Sequence, residues 1–194
     1  KSAAYTSDLV DYQKALSLYN SKQYLAAQAL FDNIEDHVSD EVIKSDCAYY
    51  IANCAVRLNQ QNADDLIQKF VANYPTSTKR NTAFIDVGDY YFENSKYSYA
   101  RKWYEKVDEA AISISEKEKF NFNFGYSNYA TNNYRGAKKY LSRVENSKKY
   151  GAQSKYYIGF MAYVDDDYDK ASEYFDKVED NEKYKENLSY YQAD

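Results

Sequence analysis

The densest set of metal-type ligands in the sequence is Asp165, Asp167 and Asp169, spaced like the first, third and fifth ligands of a calcium loop. The sixth position is Lys170, where that loop needs glycine for its sharp turn, and the twelfth is Asp176, where it needs a bidentate glutamate. The run therefore reads as a polar turn. His37 is the one histidine, so a serine or cysteine nucleophile has no second imidazole to draw on. Cys47 and Cys54 lie seven residues apart. On a shared helix that is about 10.5 Å along the axis, beyond the roughly 4.4–6.8 Å between Cα atoms that a disulfide spans. They read as two small buried hydrophobes. No His/Cys cluster has zinc spacing, and no glycine-rich loop is built to hold phosphate. No catalytic residue, metal ligand or cofactor is expected. The basic run Lys138, Lys139, Arg143, Lys148 and Lys149 reads as a solvated helix face. With a net charge of −5 the chain lacks the basic footprint of a nucleic-acid binder.

What chemistry leaves unexplained, composition begins to explain. Tyrosine accounts for 25 of 194 residues, while glycine and proline number 5 and 1. So few turn formers disfavour a β-sandwich or a disordered linker and favour a helical chain. No stretch of 18 apolar residues is present, so membrane insertion is not expected.

The tyrosines fall into a repeat. Aromatic-x-x-Ala-x-x-x-aromatic/Leu-x-x-Val/Ile reads as Tyr24, Ala27, Phe31, Ile34. It recurs as Tyr97, Ala100, Tyr104, Val107, as Tyr134, Ala137, Leu141, Val144, and as Tyr168, Ala171, Phe175, Val178. A weaker copy is Gln60, Ala63, Ile67, Phe70, closing on Tyr74 and Pro75. The alanines are spaced by 36, 37, 37 and 34 residues. Gly88, Gly125 and Gly159 each precede their alanine by 12 residues, with Ala15 and Ile51 in that slot of the first two copies. A mid-helix glycine costs about 1 kcal/mol against alanine, so three in phase predict close approach of two helices. Each unit reads as a hairpin: helix A with the small residue, a polar turn, then helix B with its stripe on one face. Ser39, Ser77, Ser115 and Ser147 are the expected N-caps of the following A helices, with Ser115 and Glu118 at capping-box spacing.

This pattern resembles the tetratricopeptide repeat, a helix–turn–helix unit of 34 residues. The resemblance covers about residues 8–180. It departs from the family in lacking the usual early tryptophan of helix A, replaced by Phe84 in the third unit, and in keeping the closing proline only at Pro75. The extra residues of several units predict irregular turns. Lys69 to Ser77 further resembles the unit ending of bacterial cell-envelope repeat proteins, which implies a periplasmic or outer-membrane-associated location. The two unbridged cysteines point instead to the cytoplasm.

The resemblance implies an all-α, right-handed superhelical solenoid of antiparallel helix pairs, about eleven helices in one domain over 1–194. The expected units are 8–38, 39–76, 77–114, 115–146 and 147–181, with a terminal helix 182–194. That tail reads as a cap, or as the start of a further unit in a longer chain. The family's groove positions on the A helices map onto Tyr12, Tyr19, Phe92, Phe122, Tyr126, Tyr129, Tyr156, Phe160 and Tyr163. The implied function is a non-enzymatic scaffold that docks a protein or peptide in an aromatic concave groove. The alternative is a spacer or self-assembling module whose groove aromatics pack on one another, with a homo-oligomer as one form of it. The mapped positions hold no Lys or Arg to clamp a terminal carboxylate, and Arg57 is the nearest cation.

Overall fold

Small-residue and aromatic stripes at helical spacing build hairpins throughout. The computed structural model describes residues 3–181 and residue 184. Among these residues there are ten α-helices, two short 3-10 turns and no strand. The A helices are α1 (Ala3–Asn20), α3 (Glu41–Arg57), α5 (Lys79–Glu93), α7 (Ile114–Ala130) and α9 (Gly151–Val164). The B helices are α2 (Tyr24–Glu35), α4 (Ala63–Asn73), α6 (Tyr97–Tyr104), α8 (Tyr134–Leu141) and α10 (Tyr168–Asp176). A helix over 182–194 lies outside the described residues, apart from Tyr184, which is helical and buried. The chain forms two compact units that meet at Tyr90 and Tyr91, inside α5.

In the first unit α2 packs between α1 and α3, and α3 also packs on α4. Its core joins Ala15 to the stripe Ala27, Phe31 and Ile34 and to Ile43, Cys47, Ile51 and Cys54 of α3. Both thiols are buried and free. A polar seam fixes the register of successive A helices at one-repeat spacing. The Tyr12 hydroxyl donates to Asp46 at 2.8 Å and that of Tyr19 to Asn53 at 2.8 Å. The Tyr49 hydroxyl donates to Asp86.

In the second unit α7 packs between α6 and α8, and α9 packs on α8 and α10. The stripes are again the core: Ala137, Leu141 and Val144 pack with Phe122, Ile158 and Met161, while Ala171, Phe175 and Val178 pack with Tyr156. The phased glycines sit at the helix crossings. A Cβ on Gly125 would lie 2.8 Å from Leu141 Cγ, and one on Gly159 would lie 2.7 Å from Phe175 Cε1.

All five A–B turns share one geometry. Lys22, Asn59, Ser95, Asn132 and Asp166 hold φ of 61°, 54°, 58°, 60° and 61°. Each amide bonds the carbonyl three residues back, and the next amide bonds five residues back, as in Gln23 to Leu18 and Asn133 to Asn128. This is the Schellman termination of a helix. The irregular turns expected from unit length therefore do not occur between A and B. The extra residues lie between B and the next A, where a 3-10 turn forms at Glu109–Ala111.

The caps differ from expectation: α9 follows Tyr150 rather than Ser147, whose hydroxyl accepts from the Lys149 and Tyr150 amides ahead of the helix. Asp40, not Ser39, caps α3, accepting from the amides of Val42 and Ile43 at 2.9 and 3.1 Å. Ser113, not Ser115, precedes α7, and its hydroxyl bonds Glu116 at 2.5 Å. Asp40 accepts from two amides at once, and the earlier start of α7 places Ser115 inside the helix.

The left-handed turn residues carry a cost. An L-residue there loses about 1–2 kcal/mol, least for asparagine, and glycine does not. Lys22→Gly is expected to stabilise the chain by about 0.5 kcal/mol after glycine's own entropy cost, seen as a rise of about 1–2 °C in thermal denaturation. Asn132→Gly should give less.

Candidate functional site

The nine A-helix aromatics lie on both units, and none of them is exposed. Phe122 and Tyr156 are buried and the others half-buried. In the first unit, Tyr12 sets its ring edge-on to Phe31, 6.1 Å between centroids. Tyr19 packs on Tyr24 and Tyr50 at 5.5 and 4.9 Å. Arg57, the nearest cation by sequence, is already engaged: its Nε donates to Asn53 at 2.8 Å and Tyr19 at 3.2 Å, and its guanidinium lies over the Tyr24 ring.

Four of the nine take a role that the mapping missed. The last groove aromatic of helix A packs on the first stripe tyrosine of helix B, five residues on. The pairs are Tyr19–Tyr24, Phe92–Tyr97, Tyr129–Tyr134 and Tyr163–Tyr168, at 5.5, 5.5, 5.9 and 5.7 Å. Each clasps its Schellman turn, one position beyond the apolar contact that usually accompanies that motif. In the remaining hairpin the matching positions are Ala55 and Gln60.

The second unit carries the larger aromatic face. Tyr126 is its hub, with Phe92, Tyr97, Phe122, Tyr129 and Tyr157 around it at 5.8, 5.0, 6.2, 5.9 and 5.1 Å. Tyr129 continues to Tyr157 and Phe160 at 4.6 and 6.0 Å. Most of these contacts are edge-on or tilted, the arrangement favoured by the ring quadrupole. Tyr126 hydrogen-bonds Tyr97 and Tyr157, and burial raises the pKa of both Tyr126 and Tyr157. Tyr157, adjacent to the mapped Tyr156, was not among the sequence candidates. Its signal is the paired Tyr156-Tyr157, whose rings meet edge-on at 5.4 Å on adjoining faces of α9. Tyr156 itself turns inward, stacked on Tyr184 at 4.5 Å and near Phe175 at 6.2 Å.

The acidic turn is also accounted for. Asp165 pairs with Lys138, Asp166 is the left-handed residue, and Asp167 accepts from the Lys170 amide. Among the described residues no helix is long and apolar enough to cross a membrane.

Comparison with known proteins agrees with this geometry. The family model "Tetratricopeptide repeat" matches residues 46–77, the α3–α4 hairpin and its closing loop. MamA of AMB-1 superposes with a TM-score of 0.67 at 17% identity, over 92% of this chain and 93% of that one. A double mutant of MamA from RS-1 gives 0.64 at 15% identity, over 95% and 96%. PilF of Pseudomonas aeruginosa gives 0.59 at 14% identity, over 91% of this chain and 77% of its own. No curated protein matches the sequence. Residues 46–77 therefore match the tetratricopeptide repeat, and the chain as a whole shares the fold of these helical-repeat structures.

Proposed function

We propose that the chain is a non-enzymatic protein-interaction scaffold, and that its binding face is the aromatic A-helix surface of the second unit. One observation carries this reading. Phe92, Tyr126, Tyr129 and Phe160 form a continuous run of touching, half-buried rings on three successive A helices. Rings held by one another lose little freedom when a peptide covers them, and aromatic side chains concentrate binding energy. The partner is a protein or peptide with apolar side chains to lay on that floor. A cell-envelope location is part of the same proposal, resting on the unit ending at Lys69 to Ser77.

The spacer reading has its own observation in the clasps, which give four groove aromatics a structural task. Tyr126 is too deeply embedded to separate the two readings, because its removal would disturb five ring contacts. Phe160 and Tyr163 both lie on α9. Phe160→Ala with Tyr163→Ala is expected to weaken partner capture from the source lysate on the order of tenfold while far-UV circular dichroism stays helical. Unchanged capture, or no partner for either protein, would favour the spacer.

A further inference from the structure

The second unit holds a concentration of cations that the aromatic face does not use. Residues 96–155 contain thirteen Lys and Arg against six Asp and Glu, in a chain of net charge −5. Residues 156–181 reverse the balance, with two against eight. Part of the basic charge is neutralised locally: Arg143 pairs with Glu109 at 2.6 Å, and Lys138 with Asp165.

Between α6, α7 and α8 lies an open cavity of about 560 Å³. Phe124 and Tyr140 are its apolar lining, with ring centroids 4.3 Å apart. Asn128 and Asn133 form one wall. They are locked by each other, Asn133 Nδ2 donating to Asn128 Oδ1 at 2.6 Å, and by Asn128 Nδ2 donating to the Phe124 carbonyl at 2.8 Å. At the rim stand Arg135, Lys139 and Glu105. Arg101 holds the Glu105 carboxylate at 2.8 Å and offsets its charge. Arg135 is exposed and forms no ion pair among the described residues. Lys139 sits over the Tyr140 ring, 4.9 Å from its centroid, with Nζ 3.4 Å from the Tyr140 hydroxyl that binds Glu109.

We infer that this cavity docks an acidic segment of a partner protein. Carboxylates of the segment meet Arg135 and Lys139, and one apolar side chain lies on Phe124 and Tyr140. A phosphate would use the cations but not the apolar lining. A nucleic-acid backbone, like a phosphate, would use the cations alone. An acidic peptide with one aromatic residue matches the rim and the lining together. The site lies on the B-helix layer, so it stands or falls independently of the A-helix face.

The test is fluorescence anisotropy with a labelled synthetic peptide of glutamates around a central phenylalanine. Saturable binding is expected at ~0.05 M salt, fading towards ~0.5 M as exposed charges are screened. Arg135→Glu with Lys139→Glu should weaken it on the order of tenfold with the helical spectrum retained. Lys22→Glu with Lys170→Glu, the same change in net charge away from the cavity, should leave it intact. Absence of saturable binding overturns the inference, as does an equal loss in the control variant. Single-stranded DNA or phosphatidylserine vesicles binding with the same dependence on Arg135 and Lys139 would overturn it in favour of a general polyanion surface.

Discussion

Raising the pH above 9 is expected to unfold the chain, first gradually and then steeply between pH 10 and 12. Burial pushes the Cys47 and Cys54 thiols from 9.0 up to about 12. Burial likewise pushes Tyr19, Tyr140 and Tyr174 from 10.0 up to about 12. Burial, with the neighbouring carboxylates Asp46 and Asp86, raises Tyr12 and Tyr49 as well. The sign follows from proton linkage. A group whose pKa is raised on folding holds its proton longer in the folded chain, so its contribution is complete below the unfolded value. It is lost as pH climbs towards the folded value. Each such group removes about 1.4 kcal/mol per pH unit in that window. The two thiols start the decline near pH 9, and the tyrosines steepen it above 10. The buried hydroxyls' share of the tyrosinate absorbance should appear together with the loss of far-UV circular dichroism. Full tyrosinate absorbance reached with helicity unchanged would mean that the buried hydroxyls are not held as described.

The second large effect is at Gly159. Its absent Cβ would lie 2.7 and 2.8 Å from Phe175 ring carbons and 3.2 Å from Tyr174 Cβ. Phe175 is 1% exposed, so its ring has nowhere to retreat. Gly159→Val is expected to cost about 3 kcal/mol from overpacking, a fall of about 10 °C in melting temperature for a chain of this size. Gly159→Ala should cost less, since the better helix propensity of alanine returns about 1 kcal/mol. The cause can be isolated by shrinking the obstacle. Phe175→Leu should recover part of the loss in the Gly159→Val background, a favourable coupling in a double-mutant cycle. Two purely additive losses would show that the crossing is not the reason for the glycine.

Gly159 and its counterpart Gly125 were legible in the sequence because their phase is fixed relative to an alanine stripe. That stripe repeats in the fold without exception: Ala27, Ala63, Ala100, Ala137 and Ala171 are all buried. The hairpin that reads most weakly, with Gln60 in place of an aromatic, is the one that the family model matches at 46–77. The turns were not legible, because a Schellman cap usually announces itself with glycine and here uses Lys22, Asn59, Ser95, Asn132 and Asp166. The clasps were hidden for a related reason. Tyr19 and Tyr24 fit two separate patterns, and only the left-handed turn brings their rings together. The mapped residues lie on the A helices, but spacing alone does not say that Phe122 and Tyr156 point inward while Tyr126 becomes a hub.

The most direct test of the scaffold assignment is site-specific photo-crosslinking in lysate of the source organism. A photoreactive phenylalanine replaces Phe160 on the A-helix face or Ser172 on α10. A discrete protein adduct at position 160 and none at 172 is the predicted result. Identical adducts at both positions, or none at either, would contradict a binding face on the A helices and leave their aromatics as the packing of a spacer.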